Sequence, residues 1–116
     1  MTRAAVNATC KYMPSAELTD PWGGGHDTRK ISGKMFASIG TMGGVVAVKC
    51  ATVQDALHLE DMFGWPKAPY FHRSWVFVPL DTDEAELHHR IEISYTIIRA
   101  SLTAKLRGTL EPYPTS

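Results

Sequence analysis

The chain has 116 residues, the size of one domain, with 44% hydrophobic and 21% charged residues. That composition excludes a disordered chain, a collagen-like chain and a coiled coil. Twelve Lys+Arg against twelve Asp+Glu give a formal net charge of zero, which excludes a strongly basic nucleic-acid module at the level of the whole chain.

An N-terminal helical segment is expected over residues 1–13, with its helix over residues 2–12. Ala4, Ala5 and Ala8 favour it, Val6 and Tyr12 supply a packing face, and Pro14 ends it. The run Gly23-Gly24-Gly25 that follows is a flexible or strongly turned loop. Three strands come next, over residues 28–31, 34–39 and 45–50. Ser32-Gly33 reads as a two-residue hairpin turn between the first two. Strict alternation in the second would place Met35, Ala37 and Ile39 on one face and Lys34, Phe36 and Ser38 on the other.

Thr52 is the expected N-cap of a second helix, which Gly64 stops, with Val53, Ala56, Leu57 and Phe63 toward the core. Pro66 and Pro69 forbid regular structure around them. Tyr70-Phe71 reads as a short strand, and residues 75–80 as a strong one rich in aromatic and β-branched side chains. Acids at Asp81, Asp83 and Glu84 open the last helix, and Leu87, Ile91, Tyr95, Ile98 and Leu102 form its apolar stripe. Lys105, Arg107 and Gly108 suit its end, and residues 111–116 are a polar tail. Short turns make neighbouring strands antiparallel. The expectation is therefore a single α+β domain over residues 1–116, in the order α-β3-α-β2-α. It is a two-layer arrangement with an antiparallel five-stranded sheet and helices mainly on one face.

Cys10 and Cys50 form no C-x-x-C pair and read as two reduced, buried thiols. The chain shows no signal-peptide pattern and no 18-residue apolar run, so it is expected to be cytoplasmic, with no membrane association. No nucleophile elbow, zinc-binding helix, phosphate loop or spaced Cys/His set is present, so no catalytic residue, metal or cofactor is expected, and the protein is read as no enzyme. Adjacent His88 and His89 point about 100° apart on a helix and do not chelate jointly. A His26/His72 site requires their two loops to meet.

Several segments resemble the MmcQ/YjbR family of small bacterial proteins. Trp22 and His26 resemble its Trp-Gly-His segment, and Gly33-Lys34-Met35-Phe36-Ala37 resembles its Gly-Lys-x-Phe-Ala strand. Pro69-Tyr70-Phe71, Trp75-Val76 and Val78-Pro79-Leu80-Asp81 resemble its second hairpin, and Glu92-x-Ser94-Tyr95 its last helix. The resemblance spans roughly residues 14–107. It implies a cytoplasmic DNA-binding protein with a double wing of two hairpins, on a fold shared with secretion-chaperone-like domains that bind protein. The chain departs from the family by two extra glycines before His26, and by His72-Arg73-Ser74 where a basic run is common.

Two function classes follow. Between residues 29 and 73 six cations face three acids, a local excess in a neutral chain. Arg29, Lys30 and Lys34 straddle the first hairpin turn, Lys67 and Arg73 flank the second, and Trp75 is a secondary contact for an unpaired base. These six residues are the candidate DNA site. The alternative is a protein-partner or homodimer surface around Trp65, Tyr70 and Phe71 with no nucleic-acid role.

Overall fold

The computed structural model describes residues 1–20, 25–40, 43–68 and 71–111. Its chain order is α1 (Arg3–Lys11), β1 (Ala16–Thr19), β2 (Asp27–Ile31), β3 (Lys34–Ile39), β4 (Val45–Lys49), α2 (Val53–Phe63), β5 (Trp75–Pro79), α3 (Glu84–Ala100) and α4 (Ala104–Arg107). The strands form one five-stranded antiparallel sheet in the order β1-β2-β3-β4-β5. The α+β class, the five antiparallel strands and the placement of helices on one face are as the sequence predicts.

The strands are distributed differently from the reading above. An unforeseen strand, β1, pairs with β2 from Ala16↔Ile31 to Thr19↔Thr28. At the other edge, among the described residues, Lys67 alone bridges to Val76, and Phe71 lies in a bend. Tyr70 lies outside the described residues, as do Trp22 and two of the three consecutive glycines. Pro66 has no N–H to give a ladder, and the described residues of this segment make one bridge.

Ser32 and Gly33 both have positive φ, 48° and 81°, the conformation a tight two-residue hairpin demands. β3 does not alternate strictly. Arg29 pairs with Ala37 while Lys30 pairs with Met35, so β3 carries one extra residue at Phe36. This bulge turns Phe36 onto the same face as Ala37 and Ile39, where all three enter the core with Ile31, Val46, Val48, Val76 and Val78. Met35 and Ser38 take the other face, and the Ser38 hydroxyl meets that of Thr28 at 3.0 Å.

Val6 and Cys10 of α1, Ala56 and Leu59 of α2, and Leu87, Ile91, Tyr95 and Ile98 of α3 all join that one core. Fully burying a side chain such as Ile91 or Leu87 stabilises by about 1.5–3 kcal/mol relative to exposure. Thr2, Thr52, Asp83 and Thr103 each cap a helix by accepting a backbone N–H in the first turn. α2 ends at Gly64 in the left-handed conformation. Its Leu57 and Phe63 are exposed rather than inward, because the buried direction is set by Ala56 and Leu59. The last helix is shorter than expected: Ser101 breaks it, and Thr103 starts α4.

Ser94 fixes α3 across the sheet. Its buried hydroxyl donates to the Phe36 carbonyl at 2.5 Å and accepts the Lys49 N–H at 2.9 Å. The β3–β4 ladder consists of Ala37↔Val48 and Ser38↔Ala47, and the serine bridges the two strands where they splay beyond it. The Tyr95 ring packs edge-on against Phe36, and its hydroxyl donates to the Pro14 carbonyl and accepts from Arg99. At the opposite end of the sheet, Arg3 ties α1 to the strand ends, donating to Asp27 at 2.5 Å and to the carbonyls of Gly40 and Gly25.

Candidate functional site

Strand direction decides which charges gather. β2 runs into the Ser32-Gly33 turn and β3 runs away from it. β4 ends at Lys49 beside Trp75, where β5 begins. Lys30, Lys34, Lys49, Lys67 and Arg73 therefore share the end of the sheet that carries the turn. α3 runs toward the same end, which brings Lys34 Nζ to 3.4 Å from Ser101 Oγ and adds Arg99 nearby. Asp20, Asp27 and Asp81 lie at the opposite end, with Glu84 and Glu86 at the start of α3. The cations of the sheet thus gather at the turn end, while Asp55 and Glu60 of α2 lie close to Cys50, next to Lys49, and Arg3 and Arg90 pair with Asp27 and Glu86 away from the turn. Glu17, paired across β1–β2 with Lys30, is the acid set among the cations on the sheet.

Five of the six residues expected at a DNA site, Lys30, Lys34, Lys67, Arg73 and Trp75, are at this basic end. Lys34, Lys67 and Arg73 are exposed, and Lys30 and Trp75 are half-buried. Arg29 is not available there. It points to the helix-covered face, is 8% exposed, and donates to the Asn7 carbonyl and side-chain oxygen under α1. One position along a strand reverses the face, so a cation one residue from Lys30 becomes part of the core margin. Lys49, which the candidate set omits, belongs with it. Its register opposite Trp75 is the signal that would have found it.

Lys49, Ser74 and His72 form a directed chain of hydrogen bonds. Lys49 Nζ donates to Ser74 Oγ at 2.5 Å, and Ser74 Oγ lies 2.8 Å from His72 Nδ1. The Ser74 backbone N–H also donates to that Nδ1, at 3.1 Å. A backbone N–H only donates, so Nδ1 is the unprotonated nitrogen and the neutral ring carries its proton on Nε2. The Ser74 hydroxyl then donates to His72 and accepts from Lys49. Among the described residues no carboxylate pairs with the Lys49 ammonium.

Register places Lys49, Trp75, Ala47 and Phe77 on the face opposite the helix-packed core. Phe71 folds back against them, its ring centroid 5.3 Å from Trp75 and 6.0 Å from Phe77. Lys30 and Met35 are on this same face.

The residues expected to carry a protein interface do not gather. Trp65 is 7% exposed and stacked on Phe63 at 4.6 Å, so it is core. Phe71 lies against Trp75 and Phe77 on the other face, and Tyr70 falls outside the described residues. The exposed apolar groups in this region are Met62 and Phe63 at the end of α2.

His26 and His72 lie at opposite ends of the sheet, before the start of β2 and of β5 respectively, so their loops do not form one site. His26 faces Asp20 at 3.6 Å, and His88 faces Glu84 at 3.8 Å. Among the described residues no three His, Cys, Asp or Glu side chains are grouped to hold a metal ion, and no helix is long and apolar enough to cross a membrane. Cys10 and Cys50 are buried and free, and desolvation pushes the Cys10 thiol up to about 11 despite the nearby Arg29. Burial likewise raises the Cys50 thiol.

Comparison with known proteins agrees with this architecture. The family model YjbR matches residues 12–97. A crystal structure of Deinococcus radiodurans protein DR2400, described as a DUF419 domain, superposes with a TM-score of 0.82 at 17% identity, covering 92% of this chain and 86% of that one. At that identity the likeness is one of fold. No curated protein matches the chain.

Proposed function

This chain belongs to the YjbR family, and we propose that it is a non-enzymatic cytoplasmic protein that binds DNA through the basic end of its sheet. The observation that carries this reading is the gathering of cations at one end of the sheet. Lys30, Lys34, Lys67 and Arg73 converge at one end of a chain with no net charge, and Asp27 of β2 and Glu84 and Glu86 of α3 lie toward the other. A phosphate backbone laid along this rim meets four cations, with Glu17 the acid paired to Lys30. Lys34 and Arg73 define the rim, one at the first hairpin turn and the other before β5.

The test is binding of random duplex and single-stranded DNA at two salt concentrations, with the double variant Lys34→Glu, Arg73→Glu as control. Salt-sensitive binding that the variant loses while remaining folded is the expected result. Full binding by the variant rules out this end as the site. The alternative, a docking surface for a protein or a second copy, draws its support from exposed Met62 and Phe63 at the end of α2. It predicts a salt-tolerant complex that Phe63→Ser weakens and the charge reversal leaves intact.

A further inference from the structure

We propose that the helix-free face of β4 and β5 holds an unpaired nucleotide of a single-stranded nucleic acid, with the base against the rings of Phe71, Trp75 and Phe77 and the phosphate on Lys49 and Arg73. This rests on the preceding reading and adds the form of nucleic acid and the place of its bases. The juxtaposition is set by register: Lys49 and Trp75 are directly paired across β4 and β5, so the ammonium stem and the indole leave the sheet side by side. A nucleotide has the same two parts, an anion and a flat aromatic surface.

Three features separate this patch from ordinary core. Phe71 and Phe77 stand outside the buried core cluster, and Trp75 only borders it. Their rings are half-buried against one another, at 5.3 and 6.0 Å. The adjacent cation is oriented by a neutral hydroxyl: Lys49 donates to Ser74 Oγ, whose proton goes to His72. An ammonium held by a hydroxyl and paired with no carboxylate among the described residues retains its charge for an incoming anion. Charge therefore selects a polyanion, and the rings select unpaired bases, since paired bases present only their edges.

Fluorescence anisotropy with a labelled dT15 strand, a duplex of equal length and free dTMP as competitor tests this. The wild-type chain is expected to bind the strand more tightly than the duplex at equal salt. Phe71→Ala is expected to weaken strand binding about tenfold, the scale of one lost base stack, and to leave duplex binding unchanged. Lys49→Gln keeps a donor for Ser74 and removes the charge, so it is expected to lower the slope of log K against log salt by about 0.7. Circular dichroism of both variants confirms folding. Strand binding that survives both variants but is lost in the Lys34/Arg73 reversal overturns this placement and leaves the basic-end reading standing. Displacement by micromolar dTMP overturns the strand in favour of a free nucleotide. Absence of any binding at low salt overturns both readings.

Discussion

Ser94 shows how one buried hydroxyl holds two layers together. It satisfies a carbonyl of β3 and an N–H of β4 where the ladder between them stops. Ser94→Ala leaves both groups buried and unpaired, so chemical denaturation is expected to show a loss of about 2–4 kcal/mol. A loss below 0.5 kcal/mol, on the order of a surface substitution, contradicts this role. Asp27 is a second such residue. The Asn7 amide hydrogen bond, opposed by burial and aided by the Arg3 and Arg29 guanidiniums, holds its carboxyl below the usual range. A depressed folded-state pKa contributes stability that is present above the unfolded value, about 4, and is lost as pH falls through the folded value. Acid unfolding of Asp27→Asn is therefore expected to lack part of the loss below about pH 4 that the wild-type chain shows. Identical pH profiles for the two chains contradict it.

At the scale of elements, local chemistry explains what the sequence discloses. Caps at Thr2 and Thr52, the stop at Gly64 and the Ser32-Gly33 turn lie where their side chains and glycine backbone demand. Gly64→Ala meets no neighbour within 4 Å of the new Cβ, so its expected cost is only that of a left-handed alanine, about 1 kcal/mol by thermal unfolding. A larger loss indicates that the glycine serves packing as well. β1 was illegible because Ala16-Glu17-Leu18-Thr19 has weak strand preference and follows a proline, and pairing with β2 supplies what propensity lacks. The bulge at Phe36 was illegible for a different reason. Alternation assumes an unbroken ladder, and only the partner strand reveals an extra residue. The candidate site is half legible on the same grounds. The gathering of Lys30, Lys34, Lys67 and Arg73 is legible from their nearness to turns, but the loss of Arg29 to α1 and the pairing of Lys49 with Trp75 depend on register.

At the scale of the whole molecule the strands gather cations that composition conceals. Counts of charge sum to zero, yet antiparallel strands return the chain to the same end at every second turn, and α3 ends there as well. Cations placed far apart in sequence, from Lys30 to Arg73, become neighbours on one rim. Under the proposed function, this rim of cations is what attracts an anionic partner to that end. The most direct measurement of this account is a two-dimensional amide NMR titration with a short single-stranded oligonucleotide at low salt. The account predicts shifts confined to residues 30–34, 49, 67 and 71–77, fading as salt is added. Shifts centred instead on Asp20, Asp27 and the start of α3, or no shifts at all, contradict it.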